Sequence, residues 1–450
     1  MIRFATAALA STMLIFAAPH PNVLAGATET NRTPANSPVT ASYLQSLLDH
    51  SNFIDFARQF PNATGLRPEQ ELYFRGTLAY REGHFNDVID PLVAAVRMQK
   101  SALTASQLES AFEILGQAAA RTYLYNSSAK MYDDIERLYG SRMGSGLEGI
   151  REKRHIAALL EHVPAETAEI GADFTVERGT GDNANEYPVT VEGKSFFAQL
   201  DTGASVSLLS ESTAKRWGVT PLDGTATLHG YGGGGFSARP AVIHTLQIGK
   251  ASLHNVVVFV TADENLYIAQ IRRQTHALLG YPVTSALERL TFSRNGSLTV
   301  TASSRESAAG APLWVGDGSL LVALGTEPVF NGDKLTGGAK ERLFELDTGS
   351  GNSYLTDRYL AENRSRFPGE PSSLARLAGA GGIHEIPAYE ARKLPLFFGA
   401  TPVLCSGQHV LSQPQGGEAE SYYGVIGQDV LRLFSSYTLD FRNMRLSVVP

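Results

Sequence analysis

Phe196-Phe197-Ala198-Gln199-Leu200-Asp201-Thr202-Gly203-Ala204-Ser205 is echoed later in the same chain by Arg342-Leu343-Phe344-Glu345-Leu346-Asp347-Thr348-Gly349-Ser350-Gly351. In each stretch an alternating apolar run leads into an acid, a small hydroxyl residue and a glycine. That is the pattern of a β-strand delivering a carboxylate to a tight loop. One Asp-Thr-Gly is ordinary turn chemistry. Two copies in like contexts carry more, because the same further signals follow each in the same order. A glycine cluster comes first, Gly230–Gly235 and then Gly379–Gly382. Two apolar residues and a glycine come next, Leu278-Leu279-Gly280 and Val425-Ile426-Gly427. Each half closes on a hairpin pattern, Leu290–Val300 and Tyr437–Val449. The chain therefore contains an internal duplication.

Both halves resemble the aspartic peptidase fold of retropepsins and pepsins. Asp201-Thr202-Gly203-Ala204-Ser205-Val206-Ser207-Leu208-Leu209-Ser210 is similar to bacterial retropepsin-like lobes, and Gly424-Val425-Ile426-Gly427-Gln428-Asp429-Val430-Leu431 to the matching end of pepsin-like chains. The resemblance spans roughly residues 185–450 and leaves the N-terminal third uncovered. It implies a bilobal all-β fold with Asp201 and Asp347 as the catalytic pair. Thr202 and Thr348 would bond across to the opposite loop's backbone. Gly203 and Gly349 would leave room where the loops meet the reacting water. Ser350 could bond the outer oxygen of Asp347, whereas Ala204 cannot do so for Asp201, which makes Asp347 the expected charged member. Leu279, Gly280, Ile426 and Gly427 would be the structural apolar-apolar-Gly positions. The glycine cluster would be a flap over the substrate, with Tyr231, Gly232 and Gly233 touching it.

The chemistry follows from the two acids. Like charges a few ångströms apart cannot both ionise, so a carboxylate pair shares one proton. One member is then a general base for water and the other a general acid for the leaving nitrogen. Such a site needs no metal and no cofactor. His229, His244, His254 and His276 show no ligand spacing. The run Gly230–Gly235 fits Gly-x-Gly-x-x-Gly, but an extended segment follows it instead of the helix a nucleotide loop requires. Cys405 is the one cysteine, so the fold rests on its cores without an internal disulfide. A formal net charge of −7 with no long basic run argues against nucleic acid as a partner.

The chain divides into segments by pattern. Residues 1–25 read as an export signal, with Arg3 ahead of a short apolar run and Val23-Leu24-Ala25 at its end. This predicts a periplasmic or secreted protein with no stable membrane span after cleavage. Residues 26–41 form a flexible leader. Residues 42–163 carry helical periodicity, and Gly76–Ile89 and Gly116–Ala129 resemble two tetratricopeptide units with an extended loop around Gln99–Gln107. Small residues there let paired helices approach, and such a domain offers a surface to a protein partner. Residues 164–186 read as a linker, 187–302 as the first lobe, 303–312 as a second linker and 313–450 as the second lobe. The fold class is thus α+β multidomain, and the expected function is an exported aspartic endopeptidase acting on peptides or proteins. Two alternatives stay open: a repeat scaffold whose lobes bind peptide without cleaving it, and an enzyme assembled between lobes of different chains.

Overall fold

The computed structural model describes residues 38–98, 103–144, 146–180, 186–230, 235–268, 273–302, 309–331, 334–380, 382–414 and 422–450. The expected signal, most of the leader, and Tyr231, Gly232 and Gly233 lie outside the described residues. The described chain forms two compact units that divide between His162 and Val163. Among the described residues no helix is long and apolar enough to cross a membrane.

The first unit is helical: α1 Ala41–Asp49, α2 Phe53–Gln59, α3 Pro68–Arg81, α4 Ile89–Arg97, α5 Ala105–Arg121, α6 Tyr125–Met143 and α7 Gly146–Leu159. Its core includes Leu44, Phe56, Tyr73, Phe74, Tyr80 and Leu92, all without exposed surface. Glycine sets the spacing of two helix pairs. A Cβ on Gly76 of α3 would lie 2.5 Å from Cγ of Leu92 in α4. A Cβ on Gly116 of α5 would lie 2.8 Å from the ring of Tyr132 in α6. One expectation is corrected here. Ala105–Gln107 is no loop but the first turn of α5, because Thr104 caps the Gln107 N–H and the Gln107 side chain returns the bond.

The second unit is β-rich. In its first lobe, Lys194–Leu200 pairs parallel with Ala277–Leu279, which pairs antiparallel with Ser207–Ser210. The second lobe repeats this: Lys334–Leu346 pairs parallel with Gly424–Ile426, which pairs antiparallel with Tyr354–Leu355. Each acid-bearing strand is therefore flanked by the apolar-apolar-Gly strand of its own half. Tyr187–Val191 returns into Lys194–Leu200 through Glu192 and Gly193, both at positive φ, as a tight two-residue turn requires. The closing hairpins of the two lobes join. Arg289–Ser293 pairs antiparallel with Ser436–Asp440, and the Thr291 and Thr438 hydroxyls meet at 2.8 Å.

Within the stretch expected to be a linker, 164–186, two strands are found, which corrects that expectation for residues 167–177. Thr167–Ile170 pairs with Ala251–His254 at the edge of the first-lobe sheet. Phe174–Glu177 pairs with Ser297–Val300 in the sheet that joins the lobes. Phe174 is buried, and Gly249 makes room for it: a Cβ there would lie 2.3 Å from its ring. The second linker is shortened as well, since Ala311–Val315 is a strand pairing with Leu320–Val322 and with Arg445–Leu446.

Candidate active site

Asp201 and Asp347 each follow the buried C-terminal end of a strand, and each loop is anchored from behind by the same bonds. The Asp201 N–H donates to Leu279 O at 2.9 Å, and the Asp347 N–H to Ile426 O at 3.0 Å. Glycine is demanded just after those carbonyls. A Cβ on Gly280 would lie 2.5 Å from Val206 O and 2.6 Å from Ala204 O, and one on Gly427 2.8 Å from Asn352 O and 2.9 Å from Ser350 O. Both glycine N–H groups donate to a serine hydroxyl, Ser207 at 3.0 Å and Ser353 at 2.8 Å.

The two loops interlock through their threonines. The Thr202 hydroxyl donates to Leu346 O at 2.6 Å and accepts the Thr348 N–H at 3.0 Å. The Thr348 hydroxyl donates to Leu200 O at 3.1 Å and accepts the Thr202 N–H at 3.1 Å. These four bonds satisfy both threonine hydroxyls and both threonine N–H groups. They bring the carboxyl of Asp347 so close to Gly203 that a Cβ there would lie 2.5 Å from its Cγ. Any side chain at Gly203 would displace the acid.

The carboxyl groups differ in surroundings. Asp201 has no exposed surface and accepts one backbone N–H, from Gly203 at 2.9 Å. Asp347 accepts two, from Gly349 and Ser350, each at 2.9 Å. The Ser350 hydroxyl also donates to Asn352 O at 2.8 Å. Burial pushes the Asp201 carboxyl well above its usual range, and the neighbouring Asp347 charge pushes it further. Asp201 Oδ2 is buried with no N–H or O–H donor among the described residues. Its close neighbour is the Asp347 carboxyl, a contact that two ionised groups could not hold. Burial thus disfavours the ionised form of Asp201, whereas the Gly349 and Ser350 N–H groups favour that of Asp347.

Several residues around the pair were not singled out in the sequence. Gln199 donates its amide to Gly349 O at 3.2 Å, and Gln428 donates to Thr348 O at 2.7 Å, so both steady the second loop. Glu345 has no exposed surface, accepts the Tyr422 hydroxyl at 2.7 Å, and its charge also raises Asp201. Their signal was present, since Gln199 and Glu345 both stand two residues ahead of the acid on a strand and so share its face. The glycine clusters also converge. Gly230 lies against Ala380 so closely that a Cβ would lie 1.7 Å from the Ala380 carbonyl oxygen. Cys405 is buried in the second lobe, and burial pushes its thiol up to about 12.

Residues 187–283 match the family model described as aspartyl protease. No curated protein matches the chain. Among solved structures, a retropepsin-like aspartic protease from Rickettsia conorii aligns at 17% identity, over 30% of this chain and 93% of that chain, with a TM-score of 0.20. A likeness that low carries none of the argument. What the chain itself shows is one strand-loop-strand arrangement repeated in two lobes of the β unit, with a helical unit ahead of it in sequence and a likeness to aspartyl proteases over residues 187–283.

Proposed function

We propose that the protein is an aspartic endopeptidase in which Asp201 and Asp347, one from each lobe, act on a single water. The observation that supports this best is the pair of buried carboxyl groups locked together by the reciprocal threonine bonds. In this reading Asp347 takes a proton from water as the water oxygen attacks the peptide carbonyl carbon. Asp201 gives its proton to the carbonyl oxygen. The tetrahedral intermediate then collapses: the proton on Asp347 passes to the amide nitrogen, the C–N bond breaks and the amine leaves, and Asp201 regains a proton from one of the intermediate's two hydroxyls as the C=O bond re-forms. Electrons and protons balance with no covalent intermediate.

The glycine-rich hairpins are proposed as the flaps that close over the peptide, with Tyr231 on the first. Export follows from the N-terminal signal pattern, and the helical unit is proposed to engage a protein partner through its helix pairs. The test is hydrolysis of denatured casein by the full chain from acidic to neutral pH, with and without a peptide that mimics the tetrahedral intermediate. Cleavage blocked by the mimic is expected. Binding of casein without new termini would leave the scaffold reading in its place.

A further inference from the structure

Beside the second Asp-Thr-Gly loop lies a cavity of about 220 Å³ whose lining includes Gln199, Thr348, Gly349, Asn352, Gln428 and Arg178. Its polar character is one-sided. Arg178, Arg294 and Arg432 contribute to the wall, and no Asp or Glu does among the described residues. In a chain of net charge −7, three arginines around one hollow are not a matter of composition. Arg294 is partly committed, donating to Phe434 O and Leu433 O. The Arg178 guanidinium has no hydrogen-bond or ion-pair partner among the described residues. Glu177, whose charge also reaches Tyr187, is exposed and not part of the lining.

Two tyrosine hydroxyls complete the set. Tyr187 and Tyr437 are 7% and 4% exposed, and both line the cavity. The Tyr437 oxygen accepts the Gln428 amide at 3.1 Å, which leaves its own proton without an acceptor among the described residues. The Tyr187 hydroxyl likewise has no partner there. Charges of Arg178 and Arg432 reach both hydroxyls. An oxyanion would accept from both hydroxyls and the guanidinium at once.

We propose that this cavity binds a carboxylate, and that the carboxylate is carried by the peptide being cut, as an acidic side chain or a chain terminus. The identification of the peptide as its source rests on the peptidase reading. The volume takes one such group with ordered water and is below the range of drug-sized ligands. A planar guanidinium suits a carboxylate. The cavity wall includes Leu200, which precedes Asp201, and Thr348 and Gly349, which follow Asp347, and Gln428 bridges the Tyr437 hydroxyl to Thr348 O, so the cavity adjoins both acid-bearing loops.

The experiment compares peptides cut by the full chain in which single Gln residues are replaced by Glu, position by position, for the wild type, Arg178→Gln and Tyr437→Phe. Binding of N-acetylglutamate is measured in parallel by calorimetry at fixed ionic strength. The expected result is a preference of about 10-fold or more in kcat/KM for Glu at one position, lost in Arg178→Gln while the Gln peptide is cut at the wild-type rate. Flat peptide preference with N-acetylglutamate bound by the wild type and not by Arg178→Gln would assign the site to a free carboxylate and overturn the peptide as its source. Flat preference and no Arg178-dependent binding would overturn the site itself. If no peptide is cut at all, the peptidase reading fails, and the calorimetry still decides whether the cavity takes a carboxylate. Tyr437→Phe keeps the ring's packing, so a loss of preference there cannot be put down to unfolding.

Discussion

Glu345 and Gln199 occupy matching places, two residues ahead of the acid in each lobe, yet one carries a charge and the other does not. The Glu345 carboxyl, held by Tyr422, adds to the forces that keep the proton on Asp201. Glu345→Gln removes that charge. The Asp201 carboxyl then ionises at lower pH, so the alkaline limb of the kcat/KM profile moves to lower pH, by up to about one unit. A profile that stays in place would show that Glu345 does not tune the pair. Asp201→Asn and Asp347→Asn each remove one half of the proton exchange. Both should lower kcat by about 10²–10⁴-fold or more with the circular dichroism spectrum unchanged. Near wild-type cleavage by either variant would rule out a pair formed within one chain.

At the scale of elements, close approach is set by glycine, and its cost depends on what the missing side chain would meet. Gly280 abuts two backbone carbonyls, which cannot swing away. Gly280→Ala should cost about 3 kcal/mol or more and most of the activity, because the strand it ends anchors Asp201. Gly116 abuts the Tyr132 ring, a side chain that can shift, and alanine favours a helix by about 1 kcal/mol over glycine. Gly116→Ala should cost only about 1–2 kcal/mol in the helical unit. Thermal melts of the two variants beside casein hydrolysis would check the contrast. Glu166 belongs to this scale too. It directly precedes the edge strand Thr167–Ile170, and burial pushes its carboxyl up to about 8. Its folded-state value lies above that of the unfolded chain, so it opposes folding as it ionises. The stability is full below about pH 4.5 and falls as pH rises towards 8. Glu166→Gln should flatten that fall and stabilise the protein by about 2–4 kcal/mol at pH 8, read as a smaller dependence of Tm on pH.

At the scale of the molecule, the division at Val163 sets what can be removed. A chain starting at Val163 keeps both edge strands, Thr167–Ile170 and Phe174–Glu177, and should fold and cut short peptides. A chain starting at Ala172, inside the stretch whose sequence reads as a linker, loses the strand that covers Ala251–His254. It should be less stable and prone to associate through the exposed edge. Equal Tm and solubility of the two would show that the edge strand contributes nothing.

What was legible in the sequence is what repeats or alternates. The strands leading into the two Asp-Thr-Gly loops and the closing hairpins carry period-two patterns, and the apolar-apolar-Gly strands, three residues each, were legible because the duplication repeats them. The helical spacing before residue 163, and Gly76 and Gly116 within it, were legible for the same reason. The strands inside 164–186 were not. Thr167–Ile170 and Phe174–Glu177 are four residues each, too short to show a period, and their partners lie about 80 and 120 residues further on. The same holds for the surroundings of the acids. That Gln428 grips Thr348, that Tyr422 holds Glu345, and that Arg178, Tyr187 and Tyr437 surround one cavity are matters of long-range packing. Sequence supplies the donors and acceptors, but only the closed fold decides which of them are buried together and must therefore be satisfied by one another.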